Sequence, residues 1–312
     1  MLFLHIPTCI GSTAQRIADL EAQVSDLQHQ LAAVKGAEYE RPFWWHETSG
    51  ALMAAVHVGH AEAAEAHNLV PDAYKDRVII ELGANTVYTV RDTLLKKEHF
   101  KQHFVMSFEP LLDKYAANLA IGRSILRSPL GRHHARGTML PFAVGPTEGM
   151  LEFQVSDTDG CASLLNFTGK SPDWGSSKGC KRAAELRRVP AVTLHTVLGW
   201  LPAGSEVDFL KVDIQGMDVP AILSAGERIR RIRRMQFEVP LTLNRQEGVR
   251  SCQESIDALA QQGFRLAKLT EVGQYAPTEA FGTPLIYEGG QVNCSSSNPR
   301  KDFEADVFMV RE

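Results

Sequence analysis

The sequence is poor in cysteine and contains no closely spaced cysteine pair. Its 312 residues include five cysteines, which are widely separated: Cys9, Cys161, Cys180, Cys252 and Cys294. Structural zinc sites usually place two cysteines two to four residues apart, and a disulfide framework uses an even number. The spacing therefore gives no indication of a metal site, and we expect free thiols.

Long apolar runs are also absent. The opening stretch, MLFLHIPTCI, has about half of the ~20 residues that a membrane-spanning helix needs. It lacks the basic flank and the small-residue cleavage site of a signal peptide. We therefore expect no membrane span and a cytoplasmic location. A location in the secretory pathway, through a cleaved or incomplete anchor, is the alternative.

No single sign of charge dominates the chain. The formal net charge is -4, with 22% charged and 44% hydrophobic residues, which is typical of a globular protein. The one basic run, Arg228 to Arg234, reads RIRRIRR and is expected to bury Ile229 and Ile232 while its arginines face solvent. Because no aromatic residues are interleaved with these arginines, we expect no nucleic-acid partner.

The N-terminal part of the chain carries a short heptad-like pattern. Apolar residues from Ile17 to Val34 recur at alternating steps of three and four, which predicts a coiled-coil-like helix. Fewer than three full heptads are marginal for stable association. The helix is therefore expected either to form a homodimer or to pack on the globular part. Gly36 and Pro42 end it, so we predict a boundary between residues 1–41 and 42–312.

Strand and helix patterns alternate over the rest of the chain, which is typical of an α/β protein with a mostly parallel sheet. The predicted strands are Val78–Leu82, Val105–Glu109, Leu140–Val144, Val207–Val212, Arg234–Val239, Phe264–Leu269 and Asp306–Arg311. The predicted helices are Val90–Glu98, Leu111–Leu119, Leu194–Leu198, Val219–Ala225 and Cys252–Gln262. The stretch from about 150 to 189, rich in Gly, Ser and Asp, is expected to be an insertion near the ligand face.

The segment VIIELGANTVYTVRDTL, which starts at Val78, predicts a buried strand that runs into a glycine turn and a helix. Gly83 would allow a ligand to approach the backbone closely. The single glycine argues against a nicotinamide dinucleotide, whose pyrophosphate needs G-x-G-x-x-G. S-adenosylmethionine has no pyrophosphate, and its positive groups prefer carboxylate and carbonyl oxygens such as those of Glu81 and the turn.

Two later acidic residues strengthen this interpretation. Glu109 closes the next predicted strand, where a carboxylate can accept both ribose hydroxyls or, alternatively, cap the helix near Leu111. Asp213 follows the strand Val207–Val212 at the sheet edge where open α/β sheets bind ligands. It could orient a hydroxyl or take its proton, or it could cap the helix after Gly216. Lys211 could pair with a carboxylate, contact the substrate or extend to solvent.

The ordered motifs of this chain resemble the FkbM-type methyltransferases. They are VIIELGAN, VMSFEP with YAANL, LPFAVG, DGCASLL, RRVPAVTL and VDFLKVDIQGMDVPAIL. The resemblance implies a class I, Rossmann-like fold with a seven-stranded, mostly parallel sheet and helices on both faces, following the N-terminal helical extension. It also implies S-adenosylmethionine as the cofactor and methyl transfer to oxygen.

The resemblance assigns roles to particular residues. Asp213 would face the methyl group, with Lys211 beside it. The cofactor would be lined by Glu81, Gly83 and Asn85 at the methionine part, Glu109 at the ribose, Phe142 and Ala143 at the adenine side, and Ser163 from the insertion. The chain departs from the family pattern at Thr86 and Val87, where small residues are usual, and at Gln215, where a glutamate is usual.

Two functional hypotheses follow. The first is an S-adenosylmethionine-dependent O-methyltransferase that acts on a hydroxyl of a small molecule or glycan, with no metal site. The second is a non-catalytic binding or scaffold protein that retains the fold. The second is motivated by the bulk at Thr86 and Val87, by Gln215 and by the N-terminal heptads.

Overall fold

The structure is a computed structural model. It describes residues 70, 72–85, 98–124, 137–156, 160–166, 183–241, 248–275, 285–295 and 304–312. The predicted boundary near residue 41, the coiled-coil-like helix, most of the predicted helix Val90–Glu98, and Thr86 and Val87 lie outside these residues. The homodimer therefore stays a prediction. Within the described part, no helix is both long and apolar enough to cross a membrane.

The centre of the fold is a mostly parallel sheet. In chain order its strands are β1 Val78–Leu82, β2 Phe104–Phe108, β3 Gly137–Leu140, β7 Val207–Val212, β8 Arg234–Pro240, β9 Phe264–Leu266, β10 Leu285–Ile286 and β11 Glu304–Arg311. Their order is β3-β2-β1-β7-β8-β11-β10, and β9 pairs with β11 outside this path. Only the pairs made by β11 with β8 and β9 are antiparallel among these strands. The predicted class is confirmed, but the described residues already form eight strands of this sheet rather than seven.

The central strands are buried along their whole length. All five residues of β1 and all six of β7 are buried, as expected for parallel strands covered on both sides. In register, Ile79 lies between Val105 of β2 and Phe209 of β7. These three side chains form part of one core cluster with Phe308. Described helices are α1 Leu112–Ser124, α2 Leu194–Gly199, α3 Asp218–Leu223, α4 Cys252–Ala260 and α5 Leu269–Tyr275.

A second, smaller sheet forms in a part of the chain where one strand and an insertion were predicted. It consists of β4 Ala143–Val144, β5 Gly149–Ser156 and β6 Ala183–Val192, in the order β4-β6-β5. The single strand predicted at Leu140–Val144 was therefore wrong. The chain leaves the main sheet after Leu140, and Pro141, which cannot donate to a ladder, stands at the break. The expected insertion at 150–189 contains most of the antiparallel pair β5 and β6 rather than loop alone.

The basic run from Arg228 to Arg234 makes hydrogen bonds within the fold and also faces solvent. Ile229 and Ile232 are buried, as predicted. Arg228 and Arg231, however, turn back onto the fold: Arg228 Nη1 donates to the carbonyl of His195 at 2.8 Å, and Arg231 donates to the Ser205 carbonyl at 2.7 Å. These guanidinium groups therefore bind main-chain carbonyls of segments distant in sequence. The expectation that all the arginines face solvent was therefore wrong.

The prediction of free thiols was also wrong. Cys252, the first residue of α4, forms a disulfide with Cys294 across 42 positions of sequence, and Cys161 is disulfide-bonded as well. Spacing along the chain could not reveal this because the two sulfur atoms meet only after the segment 285–295 returns to α4. The Cα atoms of Cys252 and Cys294 are 5.4 Å apart, which is within the usual range for a disulfide.

An ionic cluster around the buried Asp208 lies where β2, β7 and β8 begin, at the sheet edge opposite Asp213. Asp208 Oδ2 is 2.9 Å from His103 Nε2 and 2.8 Å from His99 Nε2, and Asp208 Oδ1 accepts from Arg234 at 2.6 Å. Burial acts to raise the pKa of Asp208, but the two histidines and the arginine outweigh it and lower the pKa. The cluster therefore ties the amino ends of these strands together through one ionised carboxylate.

Candidate active site

A cavity of about 240 Å³ opens at the carboxyl ends of the central strands. Its wall includes most of the residues predicted from sequence: Gly83, Asn85, Glu109, Phe142, Ala143 and Asp213. Glu81, Lys211 and Ser163 are not part of this wall. Strands β1, β2 and β7 converge here because parallel strands end at a common edge, where open α/β sheets bind their ligands.

Gly83 shapes the turn that follows β1. Its φ is +82°, and its amide and that of Ala84 both donate to the Phe108 carbonyl. A Cβ at this position would lie 1.9 Å from the carbonyl oxygen of Asp213. Only glycine therefore allows the two strand ends to approach so closely.

Asn85 and Glu109 brace this turn. Asn85 has a φ of +50°, and its amide donates to Glu109 Oε2 at 2.8 Å. The other oxygen, Oε1, accepts from the Leu111 amide at 2.9 Å. Burial raises the pKa of Glu109, although these amides and Lys114 oppose the rise. Glu109 therefore binds the amide of Leu111, as the capping alternative predicts, and it also lines the cavity, where its contact with a ribose stays a prediction.

Two predicted residues lie beneath the cavity rather than in its wall. Glu81 is fully buried and accepts a hydrogen bond from Ser107 Oγ at 2.7 Å. Lys211, its neighbour in register on β7, is also buried and donates to Asp213 Oδ2 at 3.0 Å. Burial acts to lower the pKa of Lys211, but the charges of Asp213 and Glu81 outweigh it and raise the pKa. Lys211 thus supports Asp213 electrostatically from below, and the negative charge of Glu81 helps to keep Lys211 protonated.

Asp213 lies next to the buried Lys211, and its carboxylate lines the cavity. Its amide donates to the Leu82 carbonyl at 3.0 Å, and its side chain is 33% exposed. Oδ1 accepts from Gln215 Nε2 at 3.1 Å, while Oδ2 accepts from Lys211. Both oxygens are therefore fixed in orientation while one part of the group still faces the cavity. The helix after Gly216 is capped by Met217 rather than by Asp213.

Gln215 connects the site to the small sheet. It has a φ of +56°, and its carbonyl accepts from Ser163 Oγ at 2.8 Å. Ser163 in turn forms an isolated bridge with Gln154 of β5. Ser163 is therefore a positioning residue for Gln215, while the wall beside it is formed by Ala162 and Leu164. Gln215 Oε1 is buried and has no hydrogen-bond partner among the described residues.

The cavity wall also contains a carboxylate from β8, Glu238. Glu238 lies near the end of β8, lines the cavity, and has Oε2 3.5 Å from Gln215 Nε2. Burial and the charges of Asp213, Glu304 and other carboxylates raise its pKa well above the usual value. Behind it, buried Asp218 accepts from the amides of Gly216 and Glu238, and burial raises its pKa to about 7. Only the pairing of β7 with β8 brings these groups together.

The opposite part of the cavity is apolar. It is formed mainly by Phe142, Ala143, Val144, Phe153 and Leu164. Phe142 contacts Trp200 at 6.2 Å between ring centroids, and Trp200 stacks on Phe108 at 6.4 Å. An aromatic ring would therefore find a preorganised apolar surface on this side.

The donor and acceptor pattern of the cavity fits S-adenosylmethionine. The carboxylates of Glu109, Asp213 and Glu238 suit its sulfonium and ammonium charges and its ribose hydroxyls, and the apolar part suits its adenine. His195 of α2 is not part of this wall, and its Nδ1 is 3.2 Å from the carbonyl of Ala225.

Comparison with known proteins identifies the family. The chain matches the model of the methyltransferase FkbM domain over residues 81–266. Similar solved structures include fibrillarin in a fibrillarin/Nop5p complex (11% identity, 81% of this chain and 79% of that chain, TM-score 0.34). They also include Aeropyrum pernix fibrillarin with natively bound S-adenosyl-L-methionine (11%, 80% and 74%, TM-score 0.35) and TnmH (12%, 95% and 70%, TM-score 0.32).

Structural similarity at these scores is too low to support an argument about function. No significant match was found among curated protein sequences. The family model, in contrast, spans more than half of the chain and contains Glu81, Glu109, Asp213 and Glu238. The protein therefore belongs to the FkbM family of S-adenosylmethionine-dependent methyltransferases, and S-adenosylmethionine is its cofactor.

Proposed function

We propose that the protein transfers a methyl group from S-adenosylmethionine to a hydroxyl oxygen of a small molecule or glycan. The observation that carries this proposal is the position of Asp213. Its carboxylate lies at the carboxyl end of β7, lines the cavity, and is held from both sides by Lys211 and Gln215. A fixed carboxylate at this place can accept a hydrogen bond from a hydroxyl and so direct its oxygen.

The cofactor supplies an electrophilic methyl carbon, and the protein supplies the alignment. In our proposal, Asp213 accepts the hydrogen bond of the acceptor hydroxyl. It then takes the proton as the oxygen–carbon bond forms and the carbon–sulfur bond breaks, with the bonding electrons remaining on sulfur. In-line displacement depends mostly on holding the reacting atoms about 3 Å apart, and a base adds a further factor of about 10² to 10⁴. Lys211 acts through Asp213 by fixing its orientation, and Glu81 helps to keep Lys211 protonated.

Calorimetry with S-adenosylmethionine and S-adenosylhomocysteine tests the first part of the proposal. We expect both to bind, followed by transfer of a labelled methyl group to members of a panel of hydroxyl compounds. Asp213→Asn keeps the shape of the side chain, so it should retain binding of S-adenosylhomocysteine, which lacks the sulfonium charge, within about threefold while turnover falls about 10² to 10⁴-fold. Absence of binding at millimolar ligand would favour the scaffold hypothesis instead.

We also propose that the protein resides in an oxidising compartment. The disulfide between Cys252 and Cys294 supports the secretory alternative over the cytoplasmic one, because disulfides persist in oxidising compartments and are rare in the cytosol. Mass spectrometry of alkylated protein, purified from its natural source without reductant, tests this location. Unlabelled Cys252 and Cys294 are expected, whereas full alkylation of both would overturn it.

A further inference from the structure

Two histidines and an aspartate meet at the amino ends of the strands, on the side of the sheet away from the cavity. His99 lies in the 3₁₀ turn Glu98–Phe100, His103 directly precedes β2, and Asp208 is the second residue of β7. The Nε2 atoms of both histidines contact the same oxygen, Asp208 Oδ2, at 2.8 and 2.9 Å. One nitrogen or oxygen from each of the three residues lies within 4.8 Å of the others. Imidazole nitrogen and carboxylate oxygen are common ligands of zinc and related divalent ions.

The spacing of these atoms is close to that around a bound metal ion. Metal–ligand distances of about 2.0 to 2.2 Å place two ligand atoms about 2.9 Å apart at a right angle and about 3.3 Å apart at a tetrahedral angle. The separations of 2.8 and 2.9 Å from Asp208 Oδ2 therefore need to change by about half an ångström at most. His99 can adjust its position, because its side chain is 44% exposed.

An irregularity in β7 places Asp208 in this cluster. The pairing of β1 with β7 passes from Val78 with Val207 to Ile79 with Phe209, so Asp208 is an extra residue without a register partner on β1. Bulges of this kind change the direction of a side chain, and they are frequent beside functional sites.

The neighbouring groups are compatible with a cation bound to Asp208 Oδ2. Arg234 donates to the other oxygen, Oδ1, at 2.6 Å, so it orients the carboxylate as the partners of metal-binding carboxylates do. The side chain of Arg234 is 28% exposed, and solvent therefore screens its repulsion of a second cation. Nδ1 of His103 is buried and has no hydrogen-bond partner among the described residues. The ring hydrogen of His103 can thus move from Nε2 to Nδ1, leaving Nε2 for a metal, without breaking a hydrogen bond at Nδ1.

We propose that His99, His103 and Asp208 form a binding site for a divalent transition-metal ion such as Zn²⁺, with water as the fourth ligand. Three protein ligands leave one position open, and the exposed side of His99 gives water access to it. Asp208 precedes Asp213 by five residues of extended strand, or about 16 Å, so the ion stabilises the amino ends of the strands and takes no part in methyl transfer. Cysteine spacing gave no indication of this site, because its ligands are histidine and aspartate.

The test uses full-length protein without a histidine tag, freed of metal by chelation and dialysis. We expect calorimetry to show one equivalent of Zn²⁺ bound with a Kd below about 10 µM. His99→Gln should weaken this binding at least about 100-fold, because even groups that only support a metal ligand contribute about 10- to 100-fold to affinity. His195→Gln is the matched control, since His195 is a partly buried histidine outside the cluster, and it should leave the affinity for Zn²⁺ unchanged.

Two further measurements separate metal binding from a folding defect. In urea denaturation, free Zn²⁺ at about 100 times its Kd should lower the unfolding equilibrium constant of the wild type about 100-fold. The same Zn²⁺ concentration should leave His99→Gln almost unaffected, although this variant is expected to fold without metal because its side chain is half-exposed. Co²⁺ in place of Zn²⁺ should give visible absorption bands in the wild type that His99→Gln loses.

The outcomes decide between a metal site and a cluster of ion pairs alone. A Kd for Zn²⁺ above about 10 µM, or an affinity that His99→Gln leaves unchanged, would overturn the proposal. Asp208→Asn should also weaken Zn²⁺ binding, and if this buried variant does not fold, the result for His99→Gln still decides. No measurement uses the cofactor or a methyl acceptor, so the outcome is independent of the proposed function.

Discussion

Substitution of Gly83 by alanine is expected to disrupt the cavity through a steric effect that can be separated from backbone strain. The φ of Gly83 is +82°, a conformation that costs an L-residue about 1 to 2 kcal/mol. The added Cβ would also lie 1.9 Å from the Asp213 carbonyl oxygen, so the ends of β1 and β7 must move apart by roughly 1.5 Å to restore ordinary contact. Overpacking of this kind costs about 1 to 3 kcal/mol more.

The chain offers a matched control for the cost of a positive φ. Gly263 has a φ of +84°, and a Cβ there would meet nothing within 4 Å. Gly263→Ala should therefore lose only about 1 to 2 kcal/mol of unfolding free energy, whereas Gly83→Ala should lose about 2 to 5 kcal/mol in total. Movement of Asp213 by about 1 Å is also expected to lower turnover about 10²-fold, an effect that Gly263→Ala should not show.

Urea denaturation and calorimetry with S-adenosylhomocysteine measure the two effects. We expect Gly83→Ala to weaken ligand binding at least tenfold and Gly263→Ala to leave it unchanged. Equal loss of stability in the two variants, with unchanged ligand affinity in both, would refute the reasoning, since the close approach of Gly83 to Asp213 would then have no energetic consequence.

Three further predictions concern stability and pH. Replacing Cys252 and Cys294 by serine opens a disulfide across 42 positions and should lower the unfolding free energy by ~4 kcal/mol in the chain-entropy model; a loss below about 1 kcal/mol in urea denaturation would contradict the pairing. Asp208→Ala leaves Arg234 without its buried carboxylate and should cost about 3 to 5 kcal/mol at pH 7. Because the pKa of Asp208 is lowered by folding, this contribution should be present above pH ~4 and fade as the pH falls further; a difference from wild type that stays constant down to pH 2 would argue against it. Asp218 has a pKa raised to about 7, so its folded form holds a proton that the unfolded form releases, and stability should fall as the pH rises from about 4 to 7. Asp218→Asn should reduce that slope by up to about 1.4 kcal/mol per pH unit, and an unchanged slope in pH-dependent unfolding would count against it.

The sequence predicted the site best where the site residues directly follow a buried strand. Gly83 and Asn85 follow directly from the buried run Val78–Leu82, and Asp213 follows from Val207–Val212 in the same way. These positions could be predicted because parallel strands of an α/β sheet end at a common edge. Glu81 was placed at the ligand for the same reason, but the structure buries it beneath Asp213, since β1 is covered on both faces.

Other features depend on contacts between distant segments. Glu238 enters the cavity only because β8 pairs with β7. The disulfide of Cys252 forms only because residue 294 returns to α4. The local pattern of the arginine run predicted that its arginines face solvent. Arg228 and Arg231 instead donate hydrogen bonds to carbonyls about 30 residues away in sequence. Patterns along the chain do not encode such partners, because each depends on the three-dimensional path of the backbone.

The sequence by itself thus determined the class of fold, the family, and the glycine turn with Glu109 and Asp213 at the sheet edge. Local propensity and the alternation of strands and helices suffice for these features. The tertiary structure alone decided that Lys211 supports Asp213 from below and that Gln215 binds both Asp213 and Glu238. The physical reason is that burial and the sum of neighbouring charges, which set the behaviour of a carboxyl group, exist only once the strands are packed side by side.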